Sequence, residues 1–396
     1  MIKRDRYINE LIGFKDKQLI KVITGIRRGG KSTLLNIFQT YLLKNNVNPN
    51  QIITINFENP DFEELQDYKN LYKYIENRLT KDKKNYVFLD EIQNVTDYQK
   101  AVDGLYIKEN VDIYITGSNA YFLSGELATL LSGRYIEIKI LPLSFQEYLS
   151  AFSEQSDLPT RYKNYLVNSS FPYTIELDSK QIGIYLDGIY NTVILKDVVA
   201  RKNISDVAVL ESVVKYMFDN IGNITSIKKI SDSLTSAGRK VSNHTVENYI
   251  SALLDSFILY KASRYDIKGK QYLKTNEKYY AVDVGLRYFL LGTKKTDMGR
   301  ILENIVYLEL IRRGYDVYVG KVGILEVDFV ALKDGNVEYY QVAQTVQHED
   351  TLRRELESLN NIKDHNPKYL LTLDNEPASS HNGIKQIYAL DWLVQS

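Results

Sequence analysis

Two glycines, a lysine and a serine between residues 25 and 32 have the types and spacing to bind phosphate. The stretch reads Gly-Ile-Arg-Arg-Gly-Gly-Lys-Ser and matches the pattern G-x-x-x-x-G-K-S. Glycine lets the backbone turn so that consecutive N–H groups point at one anion, and the following helix adds the positive end of its dipole. In this pattern the lysine contacts the β- and γ-phosphates and the serine hydroxyl ligates Mg²⁺. The alternative is a chance glycine-rich turn before a helix.

We therefore expect the loop and the start of the next helix to hold a nucleoside triphosphate. The residues expected to contact it are Gly25, Ile26, Arg27, Arg28, Gly29, Gly30, Lys31, Ser32 and Thr33. Lys31 is also expected to act in catalysis, and Ser32 to hold Mg²⁺. Arg27 and Arg28 are either additional anion contacts or solvated side chains, and the sequence leaves both possibilities open.

A second pattern places two carboxylates directly after an apolar run. Residues 86–89 read Tyr-Val-Phe-Leu, and Asp90 and Glu91 follow. We expect Asp90 to hold Mg²⁺ and Glu91 to orient and polarise the water that attacks the γ-phosphate. An acidic turn after a strand is common, but a phosphate loop upstream favours the catalytic interpretation.

Three further residues are candidates for the same chemistry. Ser118 and Asn119 end the next apolar strand, where a polar side chain can hydrogen-bond the γ-phosphate or the water as a sensor; the alternative is an ordinary turn. Arg134 precedes a fifth strand and is a candidate catalytic residue. It is either an arginine that stabilises transition-state charge, in its own or a neighbouring subunit, or a surface arginine at a strand start.

Alternating strands and helices must position these residues. Through about residue 155, apolar runs are separated by segments with helical spacing. This alternation predicts an α/β fold, a P-loop NTPase parallel sheet with helices on both faces. In such sheets ligands bind at the carboxyl ends of the strands. Gly25, Asp90 and Ser118 lie at or directly after such strand ends.

The motifs together resemble a known family. They are VITGIRR at 22–28, INFEN at 55–59, LDEIQ at 89–93, ITGSN at 115–119, SGRY at 132–135 and LPLSFQEY at 141–148. They are similar to those of prokaryotic AAA-type ATPases whose members carry a C-terminal domain of unknown function related to restriction-endonuclease folds. The resemblance implies that the nucleotide is ATP and the metal Mg²⁺. Where the family often has Gly-Gly before Phe-Pro, this chain has Ser169 and Ser170.

Residues 156–295 are predicted to form a helical and winged-helix module. Helical patterns flank a turn at 236–238, and strand-like residues at 258–260 and 278–282 follow. Residues 224–290 carry 11 Lys and Arg against 6 Asp and Glu, which favours phosphate contact. The outer face of the second helix, however, carries no Arg or Lys, so a lid or protein-docking role is favoured over sequence-specific DNA reading.

Residues 296–396 are predicted to form a restriction-endonuclease-like α/β domain. Glu303 on a helix, Asp328 on a strand and Gln341 on the next strand fit three of its four metal and catalytic positions. Ala343 stands where a lysine is expected. Without that cation, hydrolysis should be greatly impaired, so we predict a nuclease-like fold without nuclease activity. The alternative for Glu303 and Asp328 is a structural polar network.

Composition bounds the remaining possibilities. The chain has 396 residues, and Lys plus Arg and Asp plus Glu both number 50, so no global charge indicates nucleic acid or membrane. The absence of Cys excludes disulfides and thiolate chemistry. Neither a secretory signal nor an apolar run of the ~20 residues that span a bilayer is visible, so we expect a cytoplasmic protein with no membrane partner. The expected domains are 1–155, 156–295 and 296–396.

Three functional hypotheses follow. The first is Mg²⁺-dependent ATP binding and hydrolysis coupled to a conformational change of the C-terminal modules. The second is a nucleotide-gated DNA- or protein-binding module with negligible turnover. The third is a DNA-directed protein, for which steeply salt-dependent DNA binding would be the signature. An oligomer is required if Arg134 acts in a neighbouring subunit.

Overall fold

The computed structural model describes residues 2–118, 131, 133–152, 157–192, 198–199, 204, 206–292 and 298–395, without the side chains of 274–276. The chain divides into two compact units. The first unit is Met1–Pro142 with Asp255–Phe257, and the second is Leu143–Leu254 with Ile258–Ser396.

The first unit is built on a parallel sheet, as the sequence predicts. Its strands are β1 (Ile20–Thr24), β2 (Ile52–Asn56), β3 (Asn85–Asp90), β4 (Val111–Gly117) and β5 (Tyr135–Lys139). They are ordered β2-β3-β4-β1-β5, and every neighbouring pair is parallel. β1, β3 and β4 are buried along their whole length, which explains why most of their residues are apolar.

Helices cover both faces of this sheet. They are α1 (Asp5–Phe14), α2 (Lys31–Lys44), α3 (Tyr68–Glu76) and α4 (Tyr98–Tyr106). Successive strand residues point to opposite faces, so Val22 belongs to one apolar core with Leu71 of α3, and Ile23 belongs to the other with Leu34 of α2. This arrangement fixes β1 and its following loop between two packed layers.

A buried ion pair joins β1 to β4 inside this unit. Lys21 and Asp112 contact each other with both side chains 0% exposed. The Lys21 ammonium also donates to the Lys17 carbonyl at 2.8 Å, and Asp112 accepts from the Tyr114 hydroxyl at 2.8 Å and the Asp16 amide at 2.9 Å. Burial lowers the pKa of Lys21, and the Asp112 carboxylate opposes that effect.

We expect Lys21→Met to destabilise the protein by about 3–5 kcal/mol, because it leaves the Asp112 carboxylate buried without its cation. Adding Asp112→Asn should recover most of the loss, since the amide oxygen still accepts hydrogen bonds. The measurement is urea unfolding. Lys100→Met is the matched control, because Lys100 pairs with Asp97 at an exposed site and should change stability by less than ~1 kcal/mol. Equal effects of Lys21→Met and Lys100→Met would contradict the prediction.

The described residues of the second unit form further α-helices. They are α5 (Phe145–Leu149), α6 (Leu158–Asn168), α7 (Ser179–Ile189), α8 (Val207–Asp219), α9 (Ile227–Ser236), α10 (Asn243–Asp255), α11 (Val284–Leu291), α12 (Met298–Arg312), α13 (Glu349–Asn360) and α14 (Ala389–Val394). Across the described parts of both units, every helix is too short or too polar to cross a membrane.

The second unit also contains a nine-stranded mixed sheet. Its strands are β6 (Ile224–Thr225), β7 (Leu259–Asp266), β8 (Gln271–Ala281), β9 (Asp316–Val322), β10 (Leu325–Lys333), β11 (Asn336–Ala343), β12 (Lys368–Thr372), β13 (Ser379–His381) and β14 (Ile384–Tyr388). Their order is β13-β14-β12-β11-β10-β9-β7-β8-β6. Asp334 and Gly335 both have positive φ between β10 and β11, as the two central residues of a tight hairpin turn do.

The β7–β8 ribbon is continuous with the C-terminal strands. β7 pairs with β8 in antiparallel fashion and with β9 in parallel fashion, in a register that matches Arg264 with Val319. The sequence predicted the ribbon and the C-terminal strands in separate modules, whereas they share one sheet. The winged-helix and restriction-endonuclease-like assignments, and the boundary at 295, stay predictions.

Candidate nucleotide-binding site

The loop between β1 and α2 has a backbone shape that requires glycine. Gly25 has a φ of +141°, and a Cβ atom built on it would lie 2.2 Å from the Ile140 carbonyl oxygen. Gly30 has a φ of 99° and forms the left-handed turn from which α2 begins at Lys31. The loop therefore runs against the backbone that follows β5, and α2 starts with its N-terminus at the carboxyl edge of the sheet.

Lys31 lies inside this loop and is almost fully buried. Its ammonium donates to the Gly25 carbonyl at 3.1 Å and to the Ile26 carbonyl at 3.3 Å, and it is 3.7 Å from Glu91 Oε1. Burial lowers the pKa of Lys31, while the carboxylates of Glu91 and Asp90 oppose that effect. The loop lysine and the acidic strand end, which lie far apart in the sequence, are thus brought together.

The end of β3 is organised by Thr116 of the neighbouring strand β4. The Thr116 hydroxyl accepts a hydrogen bond from the Glu91 amide at 2.8 Å and donates one to Asp90 Oδ1 at 2.5 Å. Asn56, at the end of β2, donates to Asp90 Oδ2 at 3.2 Å. Because three strands end together at this edge, the Asp90 carboxylate has a fixed orientation.

Glu91 is held separately from Asp90. Its backbone has a φ of 54°, a left-handed conformation that is uncommon outside glycine, and its Oε2 accepts a hydrogen bond from the Gln93 amide. Sequence reasoning gave no role to Thr116, Asn56 or Gln93. These residues could have been found from their positions, because they lie in or beside the strand ends that carry the other site residues.

The remaining loop residues differ in their surroundings. Ser32 and Thr33 are exposed in the first turn of α2, and the Arg27 guanidinium pairs with Glu58 at 2.5 Å. Arg28 is exposed and has a φ of 66°. Sequence reasoning missed a buried contact to this loop from the N-terminal segment. The Arg4 guanidinium donates to the Leu141 carbonyl at 2.6 Å and to the Gly29 carbonyl at 3.4 Å.

The structure does not bring Arg134 to this edge of the sheet. Arg134 lies just before β5, its carbonyl accepts from the Ile20 amide at the start of β1, and its side chain pairs with Asp103. β1 and β5 are parallel, so Arg134 is one strand length, roughly 17 Å, from the loop that follows β1. A role for Arg134 within its own subunit is therefore not supported, and a role in a neighbouring subunit stays a prediction.

The predicted sensor position is described in part. Ser118 is buried directly after β4, beside the ends of β1 and β3. Asn119 lies outside the described residues, so its sensor role stays a prediction.

Asp90 and Ser32 have the donor chemistry that Mg²⁺ requires. Mg²⁺ prefers hard oxygen ligands and is usually bound by one or two protein groups together with phosphates and water. Each carboxylate oxygen of Asp90 accepts one hydrogen bond, and an ionised carboxylate has about four acceptor sites, so capacity remains for a metal. The exposed Ser32 hydroxyl supplies a second oxygen. The residues present fit the ion that the fold implies.

Two family models and several known proteins match this chain. Residues 17–149 match the family model described as an AAA domain, and residues 159–297 match a domain of unknown function, DUF8612. An uncharacterized protein of Haemophilus influenzae is 43% identical over 100% of this chain and 99% of its own length. An uncharacterized protein of Methanocaldococcus jannaschii is 33% identical over 94% of this chain and 84% of its own. The chain belongs to this family of AAA-domain proteins.

The AAA domain contains every residue of the site described above except Arg4. Among solved structures, a Walker-type ATPase of Pyrococcus abyssi is similar over 73% of this chain and 96% of its own, with 15% identity and a TM-score of 0.49. The relatives in this AAA-domain family extend over the second unit as well, so the two units occur together in proteins from both organisms.

Proposed function

We propose that the AAA domain binds ATP with Mg²⁺ and hydrolyses it. The observation that carries the proposal is the approach of the buried Lys31 ammonium to within 3.7 Å of Glu91 at the carboxyl edge of the sheet. A lysine at the start of a helix, held in a glycine loop, is the group that binds β- and γ-phosphates. A carboxylate beside it is the group that prepares water for in-line attack. Membership of the AAA-domain family supports ATP as the nucleotide.

We assign each residue a role that agrees with its contacts. The phosphate tail would receive the Lys31 ammonium in place of the Gly25 and Ile26 carbonyls, together with backbone N–H groups of the loop. Glu91, steadied by Gln93, would accept a hydrogen bond from the attacking water and orient it. Ser32 and Asp90 would hold Mg²⁺, which neutralises charge on the phosphate oxygens.

The metal requirement tests the proposal directly. We expect phosphate release from ATP by the full-length protein to fall by roughly 100-fold or more when EDTA removes Mg²⁺, because the developing charge loses several kcal/mol of stabilisation. Replacing ATP with GTP tests whether the site prefers adenine to guanine. Thermal unfolding with and without EDTA, in the absence of nucleotide, is the control for a structural effect. Turnover that is equal in EDTA and in Mg²⁺ would contradict the proposal.

We further propose that the nucleotide state acts on the second unit, and that this unit docks a protein partner. The exposed positions of α10 include Asn243, His244, Glu247, Asn248 and Ser251. These residues carry no positive charge, so they lack the groups that contact DNA phosphates. The conservation of both units within one relative of nearly equal length supports their acting together. If Arg134 acts in a neighbouring subunit, the protein must form an oligomer.

A further inference from the structure

A buried lysine lies among three carboxylates in the second unit. The Lys278 ammonium, from β8, is 2.8 Å from Glu326, 2.9 Å from Glu303 and 3.4 Å from Asp328. Glu303 lies on α12, and the other two acids lie on β10. The side chains of Lys278, Glu303 and Asp328 are between 5% and 11% exposed, so the cluster is nearly closed to water.

Lys278 supplies a positive charge to a cluster whose expected lysine position, 343, is occupied by alanine. In the restriction-endonuclease-like pattern, Glu303, Asp328 and Gln341 surround a divalent cation, and Ala343 stands at the lysine position. The structure supplies a cation from a strand more than 60 residues earlier, since Ala343 is on β11 and Lys278 is on β8. It lies in direct contact with the acids and so occupies the interior of the cluster.

Protein donors already contact three of the four carboxylate oxygens of Glu303 and Asp328, and two of those three accept from the Lys278 ammonium. Glu303 Oε1 accepts from Lys278 and from the Tyr280 hydroxyl at 2.8 Å. Asp328 Oδ1 accepts from Lys278, and its Oδ2 accepts from the Val342 amide at 2.9 Å. No group of three or more His, Cys, Asp or Glu among the described residues has an arrangement that could hold a metal ion.

Gln341, the third predicted ligand, is also engaged elsewhere. Its amide oxygen accepts from the Asp328 backbone N–H at 3.3 Å, and its amide nitrogen donates to Glu355 at 2.9 Å. Both ends of the side chain are therefore committed to neighbouring protein groups. The residues present do not fit the metal that a nuclease fold implies.

The Lys278 ammonium offsets part of the negative charge of the three carboxylates. Burial disfavours the charged lysine, but the carboxylates of Glu303, Asp328 and Glu326 outweigh that effect and raise the pKa of Lys278. Burial and the neighbouring Glu303 raise the pKa of Asp328 to about 7, so a proton removes part of the remaining negative charge near neutral pH. An ammonium is a compact charge with three N–H donors, which matches three carboxylate acceptors.

We propose that the Lys278 ammonium takes the place of the divalent cation in this nuclease-like centre, which makes the centre a metal-free ion network. The lysine is then an internal substitute for the metal rather than a displaced catalytic residue. The proposal predicts that the carboxylates can bind a divalent cation once the ammonium is removed, because the nearly buried Glu303 and Asp328 would otherwise remain without a counter-charge.

The test is Mn²⁺ titration of the full-length, nucleotide-free chain by calorimetry. Asp90→Asn is present in every sample so that the site in the AAA domain does not contribute. We expect Lys278→Met to bind one Mn²⁺ at least ~10-fold more tightly than the parent. The added change Asp328→Asn should abolish the gain.

Two outcomes would overturn the proposal. One is Mn²⁺ binding by the parent, or Mn²⁺-dependent nicking of plasmid DNA by the parent, that Asp328→Asn abolishes; the centre would then hold a metal beside Lys278. The other is a folded Lys278→Met protein that gains no Mn²⁺ affinity. Should Lys278→Met fail to fold alone, its refolding is followed as Mn²⁺ is added. Recovery that requires Asp328 supports the proposal, and failure to recover at any Mn²⁺ concentration counts against it.

Discussion

Replacing Lys31 with Met should weaken triphosphate binding by roughly 100-fold or more, the effect expected for truncating one partner of a buried charge pair. Methionine has a similar length but no charge, so the β- and γ-phosphates lose their ammonium contact. The change also leaves the nearly buried Glu91 carboxylate without the cation 3.7 Å away, which adds repulsion toward a phosphate. Titration with a fluorescent ATP analogue in the presence of Mg²⁺ measures the affinity.

Lys44→Met is the matched control for Lys31→Met. Lys44 is the last residue of the same helix, α2, and is exposed, so its replacement removes the same charge far from the loop. Its affinity for the analogue should equal that of wild type, and circular dichroism should show both variants folded. A folded Lys31→Met protein that binds the analogue like wild type would remove the basis of the proposed function.

The second large effect is expected from Glu91→Gln. This change should lower the ATP turnover rate by roughly 10²- to 10⁴-fold, the usual contribution of a positioned general base, while leaving ATP affinity within a few-fold of wild type. Glutamine keeps the size of the side chain and can accept the hydrogen bond that Gln93 donates. The neutral amide, however, cannot polarise the attacking water. Phosphate release at saturating ATP gives the rate, and the analogue titration gives the affinity.

Glu76→Gln serves as the control for Glu91→Gln. Glu76 lies at the end of α3 and pairs with Lys108 at 3.0 Å on the surface, so its turnover should match wild type. If wild type and Glu91→Gln both hydrolyse ATP at equal, near-zero rates while binding it tightly, the protein is a nucleotide-gated module. That outcome would retain the binding site and discard the hydrolytic reaction.

The sequence predicted the parallel sheet of the first unit because its signals are local. Buried strands such as β1 and β3 consist mostly of apolar residues, and the close approach of the Ile140 backbone requires glycine at position 25. The juxtaposition of Lys31 with Glu91 followed from one rule, that ligands bind at the carboxyl ends of parallel strands. The same rule could have placed Arg134 at the opposite edge, since Arg134 precedes its strand.

Contacts between distant segments could not be read from the chain. Lys278 is one of the 11 basic residues of 224–290. Nothing in its local sequence indicates that it contacts Glu303 and Asp328. Nothing in the sequence indicates the parallel pairing of β7 with β9 either, because β8 and two helices lie between these strands in the chain. Hydrogen-bond partners such as Thr116 were missed because a threonine in a strand is ordinary.

The continuity of the nine-stranded sheet limits how the second unit can respond to a signal. β7 is hydrogen-bonded to β9, and Lys278 of β8 is bonded to α12 and β10. Moving the β7–β8 ribbon alone would break its main-chain pairing with β9 and separate Lys278 from the nearly buried carboxylates of Glu303 and Asp328. We therefore expect the ribbon to move together with the rest of this sheet, and any hinge to lie outside the sheet.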